Sequence, residues 1–245
     1  MLSSVRRRRV FAIVLAFLVV ALACCPVHAA KTSKSKTKQI SVAEFKKYKK
    51  GIDVSGFQND INWEKVRKAG VDFAFIRAGY RGSSTGKLME DTTFKKNIKG
   101  ATKAGVKVGV YFFTQATTEK EAREEANYTI KLIKASGCKV NLPIVIDTEA
   151  GVGKARADKL SKEQRTKVIK AFCDEVKKKG YTPMIYASTS WLNNKLDMSK
   201  LKGYYVWCAQ YNKTCTYKGQ YQCWQYTSSG KVDGIKGRVD MNKFK

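Results

Sequence analysis

Four acidic residues of this 245-residue chain stand apart from the other acids, most of which fall on solvated helical segments. Asp53 lies in Gly51-Ile52-Asp53-Val54-Ser55, Asp147 and Glu149 close Pro143-Ile144-Val145-Ile146-Asp147-Thr148-Glu149, and Asp240 lies in Val239-Asp240-Met241. Each ends or interrupts a short apolar run. Asp147 and Glu149 are spaced i, i+2, so on a strand both point to one face, roughly 7 Å apart. Like charges that close raise the pKa of one member, which sets an acid beside an ionised base. Hydrolysis of a glycosidic bond needs such a pair. A salt-bridged rim or a cation site is the bland alternative for a lone D-x-E.

The residue inventory narrows the chemistry further. One histidine exists, His28, and it falls in an N-terminal segment read below as removed. Without an imidazole, Ser-His-Asp and Cys-His nucleophiles and histidine-ligated zinc drop out. Seven cysteines include no C-x-x-C pair, which disfavours cysteine-only zinc sites and thioredoxin-like redox. The stretch Gly82 to Lys87 has the wrong spacing for a phosphate loop. No metal and no cofactor is expected, so hydrolysis must run on carboxylates.

The elements that must position these acids alternate regularly. Strands are expected over 51–57, 71–79, 106–114, 142–146, 184–187, 205–209, 221–225 and 238–241, with helices over 62–69, 92–104, 119–135 and 162–179. Ser161 is a plausible N-cap, and glycines at 70, 105 and 180 follow helical patterns. Such alternation predicts an α/β fold: a parallel sheet covered by helices, closed as a single-domain (β/α) TIM-like barrel with its later helices shortened or missing. The C-terminal strand ends of such a barrel gather at one mouth, and closure makes Asp53 and Asp240 neighbours.

Arg6 to Arg9, the apolar run Val10 to Cys25 and Val27-His28-Ala29 read as a cleavable signal peptide over 1–29, with an uncleaved anchor as the alternative. Residues 30–48 read as a basic, flexible linker, and 49–245 as the catalytic barrel. A secreted, wall-associated protein is therefore expected, touching membrane only if the signal segment is retained. The formal net charge of +28 falls to +24 without the four arginines. That excess favours polyanions, and for an exported chain anionic wall polymers fit better than nucleic acid, for which no motif is present. A lysine-rich solubilising surface is the alternative. A monomer is expected.

The strings GIDVSGFQ, FAFIRAGYRG, VGVYFFTQA, PIVIDTE, MIYASTSWL, VWCAQY, CWQYTSSG and GRVDMNKF together resemble family 25 glycoside hydrolases, the bacterial and phage-type lysozymes, from about Gly51 to Phe244. The resemblance implies cleavage of the β-1,4 bond between N-acetylmuramic acid and N-acetylglucosamine in peptidoglycan glycan strands. It implies Glu149 as general acid, Asp147 as its carboxylate partner in a substrate-assisted reaction, and Asp53 and Asp240 as acids shaping the site. Tyr111-Phe112-Phe113 departs from the Tyr-His-Phe type of many members, so a histidine there is not essential if the protein is active. A chitinase-like glycosidase and a non-catalytic wall-binding protein are the competing readings.

Rings near strand ends suit sugar faces, and Tyr80, Tyr111, Tyr186, Trp191, Tyr211 and Trp224 are the candidates; Gln210 and Gln225 are candidates for hydroxyl or acetamido groups. Core packing is the alternative for about half of them. Cys208 and Cys223 hold equivalent places in consecutive strands and are expected to meet if the register allows, with Cys173 and Cys215 as a second guessed pair. Intact buried thiols are an equal alternative.

Overall fold

The computed structural model describes residues 41–245 apart from Val152. The signal segment and most of the 30–48 linker lie outside the described residues. Nine strands run β1 (Gly51–Val54), β2 (Phe73–Arg81), β3 (Leu88–Glu90), β4 (Lys107–Phe113), β5 (Ile144–Asp147), β6 (Pro183–Ser188), β7 (Tyr205–Ala209), β8 (Cys223–Gly230) and β9 (Val239–Phe244). The helices are α1 (Val42–Phe45), α2 (Trp63–Lys68), α3 (Phe94–Lys103), α4 (Glu119–Ser136), α5 (Lys162–Lys178) and α6 (Thr189–Asn194). Strand order β1-β9-β8-β7-β6-β5-β4-β2, with β1 also paired to β2, closes an eight-stranded barrel; β3 hangs on β2 as an antiparallel flap. No helix among the described residues is long and apolar enough to cross a membrane.

One strand departs from the expected all-parallel sheet. Strand β9 runs antiparallel to both β8 and β1, while the other ring pairings are parallel. Only a short connection follows β8, too short for the crossover that a parallel return requires. Asp240 therefore reaches the mouth from near the start of its strand, where it stands opposite Asp53. The first strand also stops at Val54 rather than at Phe57, because Ser55 caps a 3₁₀ turn over Gly56–Gln58.

Two apolar layers hold the barrel. Ile52, Ala74, Ile76, Val108, Val110, Ile144 and Ile146 point outward under the helices, whereas Phe73, Phe75, Val145, Met184, Trp207 and Phe244 fill the interior. Gly51 and Gly109 have no side chain because rings take that space: an added Cβ would lie 2.1 Å from Phe73 and 2.4 Å from Phe75. Alternating large and absent side chains lets a narrow barrel fill. Phe45, in the described end of the 30–48 segment, is buried and stacks on Phe244 at 4.7 Å, plugging the barrel where the parallel strands begin.

Helices α4 and α5 are the long ones. Thr118 caps α4 through Glu121 N–H, Gly137 ends it in the left-handed conformation, and a Ser161–Gln164 capping box starts α5. After β6 the cover thins to the six residues of α6 and a 3₁₀ turn, and β7 and β8 are joined by an irregular loop over 210–222. The mouth is open on that side.

Candidate active site

Asp53, Asp147, Glu149 and Asp240 converge at the end of the barrel where the parallel strands finish. They line one cavity of about 290 Å³ with Ser55, Phe57, Arg77, Tyr111, Tyr186, Trp207, Tyr211 and Gln225. Trp207 stacks on Phe75 at 4.5 Å, so the interior core is the floor of the cleft. Asp147 is the last residue of β5 and is buried; Glu149 lies beyond the strand and is exposed. The two do share a cavity, although only Asp147 belongs to the strand. A larger surface depression of about 660 Å³ beside α2 and α3 contains none of the four acids.

Asp53 is held by two amides. Its Oδ2 accepts from Asn242 Nδ2 at 2.8 Å and from Gln225 Nε2 at 2.9 Å. Burial, then the charge of Asp240, pushes its carboxyl up to about 8. Asp53 and Asp240 are hydrogen-bonded to each other, which requires one proton between them. Asp147 is driven well above the carboxylate range by burial, then by Glu149 and Asp53, with Arg77 opposing. Burial, followed by the charge of Asp240, raises Glu149 too, in spite of its exposure to water. All four carboxyls of the cleft thus hold protons more tightly than free acids do.

A stability prediction follows for Asp53. Its folded pKa of about 8 exceeds the unfolded value of 3.8, so its contribution is full below that lower value and is lost as pH rises toward 8. Asp147, Glu149 and Asp240 titrate with the same sign. Asp53→Asn reproduces the protonated form: its carbonyl accepts from Asn242 and Gln225, and its amide donates to Asp240. Thermal melts between pH 4 and 8 should lose stability less steeply in Asp53→Asn than in the parent. Parallel slopes would show that Asp53 folds ionised.

Glu149 is placed by the segment that follows it. Gly151 N–H donates to Asp158 Oδ1 at 3.1 Å, Ala157 N–H donates to Gln115 Oε1 at 3.2 Å, and Arg165 Nη2 donates to the Ala157 carbonyl at 2.6 Å. Arg156 anchors the same segment to Glu121 on α4 at 2.8 Å. Beneath it, buried Arg81 pairs with Glu125 at 2.8 Å, whose other oxygen accepts from Thr114 at 2.6 Å. The rim is thereby tied to the long helices.

The predicted contact residues divide. Tyr111, Tyr186, Tyr211 and Gln225 line the cleft. Gln225 Oε1 accepts from the hydroxyls of Tyr186 at 2.8 Å and Tyr211 at 3.0 Å, so this amide is occupied in positioning. Gln210 borders an adjoining groove of about 630 Å³ that shares Glu149, Tyr186 and Tyr211, and its amide grips Thr216 at both ends. Three residues stay outside. Trp224 alternates with inward-facing Cys223, so it lies on the outer face, its Nε1 donating to the Gln210 carbonyl and its ring 4.6 Å from Lys243 Nζ. Trp191 on α6 packs on Arg165, and Tyr80 lies beside Arg77 without lining the cavity.

Sequence reasoning missed Arg77 and Phe57. Arg77 is the cation lining the cleft, held by Asp91 at 2.7 Å; Asp91 also receives Gly56 N–H at 3.0 Å. Phe57 is 79% exposed at the rim, its ring 5.1 Å from the guanidinium. No signal marked Arg77, which sits inside an apolar strand; the cap pattern Ser55-Gly56-Phe57-Gln58 was a usable hint of a turn at Phe57.

Residues 52–235 match the profile described as "Glycosyl hydrolases family 25". The chain is 29% identical over 200 residues to an autolytic lysozyme of Clostridium acetobutylicum, covering 80% of this chain and 55% of that protein. It is 30% identical over 181 residues to an N,O-diacetylmuramidase of Arthroderma benhamiae, covering 72% and 70%. The modular autolysin LytC from Streptococcus pneumoniae superposes with a TM-score of 0.73 at 32% identity, covering 80% of this chain and 46% of LytC; a second structure of LytC, with a synthetic peptidoglycan ligand, gives 0.72. The chain spans about half the length of the autolytic lysozyme and of LytC.

Proposed function

The chain belongs to glycosyl hydrolases family 25, and from that premise we propose that it is a muramidase that cleaves the β-1,4 bond between N-acetylmuramic acid and N-acetylglucosamine in peptidoglycan. One observation carries the reading: Glu149, exposed and with raised proton affinity, shares one cavity with the buried carboxyl group of Asp147, whose charged form Arg77 favours against burial. Glu149 donates its proton to the leaving oxygen. Asp147 Oδ1 is buried and takes no hydrogen bond from the protein, so it is free to accept one from the substrate. An acetamido N–H fits that role: its carbonyl oxygen attacks the anomeric carbon, and the positive charge that develops on nitrogen adds to that of Arg77 in favouring the ionised form of Asp147, which balances it. Arg77 and the proton between Asp53 and Asp240 limit the negative charge crowding the cleft. Phe57 and Tyr211, exposed on its rim, offer faces for sugar rings.

A turbidity assay on purified walls, paired with sedimentation of the protein with those walls, tests this. Clearing with release of muramic reducing ends is expected. Sedimentation without clearing would identify a wall-binding protein, and equal cleavage of chitin would identify a broader hexosaminidase.

The proposed setting is extracellular and wall-associated, with a monomer drawn to anionic wall polymers by the lysine excess. Activity on intact walls should then fall steeply as salt passes ~0.15 M, while activity on a short soluble glycan should fall much less. Equal salt sensitivity on both substrates removes electrostatic capture from the account.

A further inference from the structure

The cysteines do not meet as their spacing suggests. In the barrel register Cys208 stands beside Trp224, and Cys223 beside Trp207. Cys208 therefore faces outward and Cys223 inward, on opposite sides of the sheet. Cys173 is buried in α5 under the outer core. The sulfur that does approach another is that of Cys215: its Sγ lies 3.8 Å from Cys208 Sγ, with all five described cysteines in the thiol form.

We infer that Cys208 and Cys215 form a redox-active pair whose disulfide staples the 210–222 loop to the end of β7. Only seven positions separate the two residues, so the bond closes a small ring. That ring contains Gln210 and Tyr211, which border the cleft, and it reinforces the clasp in which Gln210 grips Thr216. Reactivity is divided between the partners. Cys215 is partly exposed, beside Lys213 and Tyr221 at the surface, and Cys208 is buried with its Sγ 3.2 Å from the Thr189 hydroxyl.

The oxidant is a small-molecule disulfide of the glutathione class. The Cys215 thiolate attacks one sulfur of it, expelling one thiolate and forming a mixed disulfide. The Cys208 thiolate then attacks the Cys215 sulfur and expels the second. Two electrons pass from the cysteine pair to the oxidant, and the two cysteine protons end on the two released thiols.

Lys213 lies between the cysteines, which makes the bond directly readable. Full-length protein is incubated with oxidised glutathione, its remaining thiols are blocked, and it is digested with trypsin. A linked pair of peptides, 203–213 with 214–218, is expected, separated by dithiothreitol. Cys215→Ser must abolish the pair and Cys173→Ser must leave it. The oxidised protein should melt about 5 °C or more above the reduced form. Linkage of other cysteines, or glutathione retained on Cys215 without closure, overturns the pairing. Closure with an unchanged melting temperature overturns the staple.

Discussion

Glu149→Gln should cut wall lysis by roughly 10²–10⁴-fold, toward the upper end because the sugar oxygen that Glu149 is proposed to protonate is a poor leaving group. The amide keeps size and shape, so binding to walls should survive. The replacement also removes a proton-binding site rather than a buried ion pair, since no salt bridge to Glu149 exists among the described residues. Melting temperature should therefore hold. An aryl glycoside whose leaving group needs no protonation separates chemistry from damage: Glu149→Gln should recover much of its rate on it in the glycosylation step. A folded Glu149→Gln protein that clears walls at the parental rate would falsify Glu149 as the acid.

Asp147→Asn should be comparably severe for a different reason. Asp147 is buried at the end of β5, with one oxygen free for the substrate. Its carboxylate would oppose positive charge on the acetamido nitrogen; the asparagine amide offers only a dipole. A loss of about 10²–10³-fold, the range for one preorganised electrostatic group, is expected, and the aryl glycoside should not rescue it. Burial raises the proton affinity of Asp147 while Arg77 lowers it, so the parental rate should depend on Arg77 as well. Rescue of Asp147→Asn on the activated substrate would assign it to proton transfer and reverse the two roles.

What the sequence disclosed about this site was chemical type and strand ends. Acids that close apolar runs are conspicuous in a chain with 20 acids and 48 basic residues, and Asp53, Asp147, Glu149 and Asp240 do share a cavity. Direction was hidden, because VDMNKF pairs as well antiparallel as parallel and only the connection length decides. Register was hidden for the same class of reason. One residue of stagger between β7 and β8 put Cys208 beside Trp224, which sent Trp224 outward and parted Cys208 from Cys223. Arg77 was masked by its apolar neighbours in FAFIRAGYR; it is tolerated there because Asp91 reaches it from beyond β3. The short β3 and α6 carry too few residues for periodicity to register.

Asn242 donates to Asp53 across 189 residues of chain, and Asp240 and Phe244 share its strand. Until that strand is made, Asp53 lacks its proton-sharing neighbour and one of its two amide donors, the interior lacks Phe244, and β1 has an unpaired edge. Closing so long a loop is slow, because its entropy is lost before the contacts repay it. Formation of the proposed cleft is thus coupled to the order of synthesis: a nascent chain still short of β9 holds three of the four acids in a ring that has not closed, and the complete cleft arises only once β9 has joined β1.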